Sequence, residues 1–179
     1  MMKVKKTAIE GLLVLEPRIF KDARGYFYES FQQERLELQG LKYKFIQDNQ
    51  SRSVYGVIRG LHYQKNPFAQ AKLVRVTEGA ILDVALDIRP GSPSYGKWFA
   101  IELSADNFLQ LMIPEGFAHG FSVLSDQATL QYKCTQYYHP ESDAGIRFDD
   151  PDLQIDWKVE PEKAIVSDKD RVLPYLKQL

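Results

Sequence analysis

The sequence has little of several features that mark particular classes of protein. Its 179 residues include one cysteine, Cys134, so no internal disulfide can form, and we expect a reducing, cytoplasmic location. The formal net charge is -1, which gives no indication of a nucleic-acid partner. No apolar run approaches the roughly 18 residues of a membrane span, so a membrane partner is not expected either.

Aromatic residues and a two-residue period dominate what is present. Phe, Tyr and Trp make up 12% of the chain, which favours strands and ligand pockets over a helical bundle. Apolar and polar residues alternate over 82–89, 97–104 and 128–138, which predicts half-buried strands. Shorter strand candidates lie at 12–15, 26–30, 45–48, 57–61, 73–77, 109–113 and 121–124. Helical periodicity is confined to 32–39 and 171–178.

Many short strands separated by turn residues predict an all-β sandwich or closed barrel. No internal repeat, low-complexity tract or linker interrupts the pattern, so we expect one domain over 1–179 with a few short peripheral helices. The polar, proline-punctuated tail from Pro151 onward is expected to wrap the barrel.

The chain has three histidines, and their neighbours distinguish them. His139 precedes Pro140 and is typical of a surface turn. A lone histidine such as His62 or His119 is more often a hydrogen-bonded core residue than a functional one. However, the cations Arg59 and Lys72 flank His62, and inward-facing cations would require an anionic ligand. Lys72 could instead be a solvated edge residue.

Polar side chains also recur on faces that we expect to point inward. Gln47 and Asn49 share a face of one predicted strand, and Tyr132 and Tyr138 share a face of another, although aromatic core packing would explain the tyrosines equally well. The sequence has no His-x-His pair and its third histidine lies in a predicted turn, so no metal site is expected. It also has no nucleophile elbow to support a Ser-His-Asp triad and no glycine-rich phosphate loop. Acid–base chemistry by His, Lys, Tyr and carboxylates remains.

Several segments together resemble one known family in order and spacing. They are Asp22-Ala23-Arg24-Gly25-Tyr26-Phe27-Tyr28-Glu29-Ser30, Gln47-Asp48-Asn49, Arg59-Gly60-Leu61-His62-Tyr63-Gln64, Ala69-Gln70-Ala71-Lys72-Leu73-Val74, Asp83-Val84-Ala85-Leu86-Asp87-Ile88-Arg89, Pro114-Glu115-Gly116-Phe117-Ala118-His119-Gly120-Phe121, Tyr132-Lys133, Tyr137-Tyr138 and Ser167-Asp168-Lys169-Asp170. The set resembles the dTDP-4-dehydrorhamnose 3,5-epimerase family of metal-free cupins over nearly the whole chain. The resemblance implies a cupin-type jelly-roll β-barrel that uses no cofactor.

The resemblance also implies roles for individual residues. His62 would be the general base, Asp170 would orient it, Tyr132 would be the general acid on the opposite face of the sugar, and Lys72 would stabilise the enolate oxygen. The residues expected to hold the sugar and the nucleotide diphosphate are Arg24, Glu29, Gln47, Asn49, Arg59, His119, Tyr138, Asp143 and Lys169. Asp143 stands where the family often has Glu, and Phe148-Asp149 stand where a Trp-Asn pair is common.

The implied reaction converts dTDP-4-keto-6-deoxy-D-glucose to dTDP-4-keto-L-rhamnose, in dTDP-L-rhamnose biosynthesis. A homodimer with exchanged N-terminal strands is also implied, in which Arg24 or Glu29 would serve the partner's site. The alternatives are a 3-epimerase or ketoisomerase of a related deoxysugar pathway, a non-catalytic sugar-binding cupin, and a metal-dependent cupin oxygenase.

The spacing of Arg59 and His62 requires one local irregularity. Residues an odd number of positions apart point to opposite faces of a regular strand. Glycine within a strand often marks a bulge that resets this alternation. We therefore predict irregular pairing near Gly60.

Overall fold

The computed structural model describes residues 2–179, whose strands form two large antiparallel sheets and one separate hairpin. The six-stranded sheet contains, in spatial order, β1 (Lys3–Lys6), β2 (Leu13–Glu16), β10 (Gln110–Ile113), β7 (Lys72–Glu78), β12 (Gln127–Cys134) and β5 (Gln47–Val54). The five-stranded sheet contains β13 (Asp143–Gly145), β6 (Ile58–Gln64), β11 (Phe117–Val123), β8 (Ala80–Asp87) and β9 (Trp98–Ser104). The hairpin pairs β3 (Phe20–Asp22) with β4 (Gly25–Phe27).

The two sheets enclose the main apolar core. Val74 and Leu111 of the six-stranded sheet and Ala85 and Phe121 of the five-stranded sheet belong to the same buried cluster. Alternating residues from both sheets therefore fill one interior, which is the packing of a β-sandwich or barrel. The expected all-β, cupin-type jelly roll is confirmed.

The prediction of a half-buried strand at 82–89 is wrong for β8, because both faces of this strand are covered. Its apolar residues Val84 and Leu86 pack outward against Leu153 and Trp157 of the C-terminal tail. The opposite face, which carries Asp83, points into the barrel. The tail therefore wraps the barrel as expected, and the inner face of β8 is partly polar.

The helices are short and peripheral. The helix predicted at 32–39 is present as α1 (Gln33–Leu38). The helix predicted at 171–178 is wrong, because Pro174 has no N–H to donate in this segment. Instead, α2 spans Asp168–Arg171 and a 3-10 turn spans Leu176–Gln178; two further 3-10 turns span Pro140–Ser142 and Pro161–Lys163. No helix within residues 2–179 is long and apolar enough to cross a membrane.

Several predicted strands have different ends in the structure, and two of these lie beside the site. The strand predicted at 128–138 ends at Cys134, so the inference that Tyr132 and Tyr138 share a strand face is wrong. Tyr138 lies instead in the loop that follows β12. The strand predicted at 45–48 begins at Gln47 and continues to Val54.

The irregular pairing predicted near Gly60 is confirmed. His119 of β11 pairs with His62, whereas Phe121 pairs with Arg59, so β6 has one residue more than β11 between these pairs. Gly60 has φ +125°, and a Cβ added there would lie 2.5 Å from the Cα of Gly120. Cross-strand partners share a sheet face, so the bulge turns both Arg59 and His62 toward the interior.

Candidate active site

A cleft of about 360 Å³ opens where strands of the two sheets meet. Its lining residues come from β5, β6, β7, β12, β13 and the loops beside them: Gln47, Asn49, His62, Tyr63, Gln64, Gln70, Lys72, Tyr132, Tyr138, Asp143 and Lys169. Eight of the residues that the sequence suggested as site residues therefore line one cavity.

His62 is oriented by Asp170, which lies behind it. The Nε2 atom of His62 is 2.7 Å from Oδ1 of Asp170, and the N–H of Gly60 donates to Oδ2 over 3.2 Å. The Ser167 hydroxyl accepts from the Asp170 N–H and caps α2. Burial would raise the pKa of Asp170, but the hydrogen bonds and charge of His62 outweigh it, so the pKa lies below its usual value. An ionised Asp170 can therefore hold the imidazole ring and stabilise its protonated form.

Lys72 and Tyr132 lie on the opposite sheet. The ammonium of Lys72 is 5.8 Å from the centre of the Tyr132 ring. Burial lowers the pKa of Lys72, although nearby acidic groups oppose this effect. Burial also raises the pKa of Tyr132, which keeps its phenol protonated near neutral pH. Because Lys72 lies on the central strand β7, it is not a solvated edge residue.

Arg59 and His119 lie on the interior wall beside the cleft. Arg59 donates to the Ser53 hydroxyl over 3.2 Å, and its charge works to lower the pKa of Tyr132 against the effect of burial. His119 is buried, with Nε2 2.7 Å from Oδ1 of Asp83.

Polar residues surround the mouth of the cleft. Gln47 donates to the Asn49 side-chain oxygen over 3.1 Å and accepts from the backbone N–H of Tyr138 over 3.0 Å. Asp143 accepts from the Tyr138 hydroxyl over 3.0 Å and forms an ion pair with Lys169. These contacts tie the loop after β12 to β5 and to α2.

Arg24 and Glu29 do not reach this cleft within one chain. Arg24 is in the exposed β3–β4 turn, where it pairs with Asp22, and 90% of its side chain is accessible. Glu29 pairs with Arg35. Neither lines the cavity that contains His62.

Comparison with known proteins identifies the family. The family model described as dTDP-4-dehydrorhamnose 3,5-epimerase matches residues 6–178. The dTDP-4-dehydrorhamnose 3,5-epimerase of Escherichia coli K12 is 56% identical over 179 residues, covering 99% of this chain and 96% of that protein. The chain belongs to the dTDP-4-dehydrorhamnose 3,5-epimerase family.

Solved structures extend this relationship. The dTDP-6-deoxy-D-glucose-3,5-epimerase of Legionella pneumophila, in complex with dTDP-4-keto-L-rhamnose, has a TM-score of 0.95 at 50% identity, covering 100% of this chain and 95% of that one. A 3'-monoepimerase of Streptomyces bikiniensis in complex with dTDP-quinovose has a TM-score of 0.88 at 35% identity, covering 96% and 86%. The fold is therefore shared by epimerases with different named outcomes.

Three residues at or beside the cleft of this dTDP-4-dehydrorhamnose 3,5-epimerase family member were not predicted as site residues from the sequence. Gln64 is buried, donates to the carbonyls of Phe68 and Tyr137 and accepts from the His139 N–H, so it fixes the loops beside the cleft. Gln70 donates to the carbonyl of Gln136. Asp83 lies beneath His119. Gln64 directly follows the His62 motif, but no periodic signal distinguished it.

The histidines of the interior are each engaged by a carboxylate. His62 contacts Asp170 and His119 contacts Asp83, each through Nε2. Within residues 2–179, no group of three or more His, Cys, Asp or Glu side chains is arranged to hold a metal ion.

Proposed function

We propose that this protein is a dTDP-4-dehydrorhamnose 3,5-epimerase that converts dTDP-4-keto-6-deoxy-D-glucose to dTDP-4-keto-L-rhamnose, in dTDP-L-rhamnose biosynthesis. The observation that carries the proposal is that His62 and Tyr132 line one cleft from opposite sheets, with Lys72 beside them, in a member of this family. Inversion requires two proton-transfer groups on opposite faces of the sugar, and this cleft offers such a pair.

His62 acts as the general base. The ketone at C4 acidifies the hydrogens at C3 and C5, so a suitably placed imidazole can remove either one. Asp170 orients the ring and stabilises the imidazolium that forms. Removal of the proton places negative charge on the C4 oxygen, and the Lys72 ammonium stabilises this charge more strongly in the enolate than in the ketone.

Tyr132 returns a proton from the other face. A single residue cannot both remove and return the proton with inversion unless the ring turns over, so a second donor is needed. The raised pKa of Tyr132, caused mainly by burial, suits it to this role because the phenol remains neutral until it donates. The reaction causes no net redox change and therefore requires no redox cofactor.

The remaining polar residues hold the rest of the substrate. Arg59 and Lys169 supply positive charge for the diphosphate. The other ligands of the sugar and nucleotide are Gln47, Asn49, His119, Tyr138 and Asp143, with Arg24 and Glu29 contributed by a second subunit.

A homodimer would complete the site. The β3–β4 hairpin is exposed and carries the accessible aromatics Phe20, Tyr26 and Phe27 next to Arg24. Exposed aromatic clusters of this kind mark interaction surfaces. We infer that the hairpin reaches the cleft of the partner. A cytoplasmic location is also proposed, supported by the unpaired, buried Cys134.

A second candidate is a 3-epimerase that inverts one centre. The 3'-monoepimerase of S. bikiniensis supports this candidate, because it shares the fold with a TM-score of 0.88 at 35% identity. The presence of both a base and a donor is compatible with either outcome.

Incubation of the protein with the ketosugar in deuterated water distinguishes the 3,5-epimerase from the 3-epimerase. We expect NMR to find deuterium at both C3 and C5 of an L-configured product, with no exchange by the His62→Ala variant. Label at C3 alone would support the second candidate. Binding of the nucleotide sugar by the wild-type protein without exchange would indicate a non-catalytic cupin, and activity that depends on stoichiometric metal would favour an oxygenase-type site.

A further inference from the structure

Strand β8 carries two buried aspartates with very different surroundings. Asp83 and Asp87 are both completely inaccessible to solvent. The carboxylate of Asp87 is fully used by its local turn: it accepts from the Arg89 guanidinium and from the hydroxyls of Ser92 and Ser94. Asp87 therefore has a sufficient structural explanation.

Asp83 has no such explanation. Its Oδ1 atom is 2.7 Å from Nε2 of His119, but its Oδ2 atom is buried without a hydrogen-bond partner among residues 2–179. An unsatisfied buried carboxylate oxygen destabilises a fold, because its hydration is lost without replacement. A feature that costs stability and serves no local turn suggests a role in the site.

The surroundings of Asp83 indicate that role. Its negative charge acts on the Lys72 ammonium and opposes the lowering of the Lys72 pKa that burial causes. Cys134 and Asp143 are the other acidic groups that act on Lys72, and Tyr132 lies beside it. His119, which Asp83 holds, pairs across the strands with His62. Asp83 therefore contacts His119 on β11, the strand that pairs with the His62 strand, and its charge also acts on Lys72 of the opposite sheet.

We propose that Asp83 is a positioning residue for the epimerisation: its carboxylate fixes the ring and tautomer of His119 and balances the positive charge of Lys72. The inference rests on the proposed function. In a water-poor cleft, an ammonium without a counter-charge would tend to lose its proton, and a neutral amine would stabilise the enolate oxygen poorly. Asp83 does not touch the substrate and acts through Lys72 and His119.

Asp83→Asn tests this role, with Asp87→Asn as a matched control on the same strand. Asparagine preserves shape and can still accept from His119, but it lacks the charge. For Asp83→Asn we expect kcat for C3 and C5 exchange to fall about 100-fold, the size of effect seen when electrostatic stabilisation is removed from a site. KM and dTDP affinity should change less than threefold. Asp87→Asn should lower thermal stability and leave kcat nearly unchanged.

A kcat for Asp83→Asn within threefold of wild type would overturn the inference, as would equal losses of kcat in both variants. A second measurement needs no variant of Asp83: the ¹⁵N imidazole NMR signals of His119, assigned with His119→Gln, should show a proton on Nε2. A bare Nε2 in the wild-type protein would also overturn the inference. Absence of exchange by wild type would contradict the proposed function instead, and the NMR result would still test the Asp83–His119 contact.

Discussion

The Nε2 atom of His62 lies 2.7 Å from Oδ1 of Asp170, although 108 residues separate them in sequence. The bulge at Gly60 supplies a second donor to the same carboxylate, and the cap by Ser167 fixes the first turn of α2. If the Nε2 proton is donated to Asp170, Nδ1 becomes the basic nitrogen. The C-terminal tail thus completes a dyad whose other half lies in the barrel.

The Asp170→Asn substitution tests the dyad. Asparagine retains the shape but cannot stabilise an imidazolium and can favour the wrong tautomer, so we expect kcat to fall by about 100-fold or more. Affinity for dTDP should be nearly unchanged, as measured by calorimetry. The control is Asp168→Asn, an exposed position on the same helix. Comparable losses of kcat in the two variants would contradict the assignment.

The Tyr132→Phe substitution separates proton removal from inversion. The phenylalanine ring fills the same space without a hydroxyl, so His62 can still remove and return a proton on its own face. We expect solvent deuterium to enter the unreacted substrate while the yield of L-configured product falls at least about 100-fold. NMR of the recovered sugar measures both quantities. The control is Tyr137→Phe, at an exposed position in the loop after β12, which should behave as wild type. Undiminished inversion by Tyr132→Phe would exclude the phenol as the proton donor.

Alternation and turn residues are local signals, so they were sufficient to predict the fold class. The candidate site residues came instead from the ordered motifs that resemble the family, and eight of them line the cleft. It was insufficient where one side of a strand is covered by a distant segment. Val84 and Leu86 have the pattern of a core face, yet they pack against the tail, while the polar face of β8 points inward. The role that we propose for Asp83 could therefore not be predicted from the sequence, because burial on both faces depends on contacts that no short window of sequence contains.

The Gly60→Ala substitution tests the bulge. A Cβ at this position would lie 2.5 Å from the Cα of Gly120, and φ is +125°. A positive φ costs a non-glycine residue about 1–2 kcal/mol, and forced overpacking adds about 1–3 kcal/mol. Gly91→Ala, with φ +77° and open space around its Cβ, carries only the first cost. Chemical denaturation should therefore find Gly60→Ala less stable than Gly91→Ala, and its kcat should be lower than that of Gly91→Ala. Equal stabilities of the two variants would mean that the backbone at Gly120 moves aside at little cost.

Mixing two inactive variants tests whether the hairpin serves a partner. If Arg24 acts in the opposite subunit, a dimer of Arg24→Ala with His62→Ala has one site with both defects and one intact site. Random reassortment of a two-fold dimer then restores about a quarter of wild-type activity. If Arg24 serves its own cleft, both sites of the mixed dimer stay defective. Activity that stays at the level of the separate variants after verified subunit exchange would contradict the shared site.

Asp87 makes a stability prediction that depends on pH. Burial works to raise its pKa, but hydrogen bonds from Arg89, Ser92 and Ser94 outweigh this effect and hold the pKa far below its usual value. A depressed folded-state pKa contributes stability that is present above the unfolded value, about pH 4, and is lost as pH falls toward the folded value. At pH 7 we expect Asp87→Asn to lower the free energy of unfolding by about 2 kcal/mol or more.

Urea denaturation of both proteins between pH 7 and pH 3 measures this linkage. The difference in unfolding free energy between wild type and Asp87→Asn should be largest near neutrality and should shrink below about pH 4, because the wild type alone loses the contribution of the Asp87 carboxylate. A difference that stays constant over this range would show that Asp87 stabilises the turn through shape and neutral hydrogen bonding, and not through its charge.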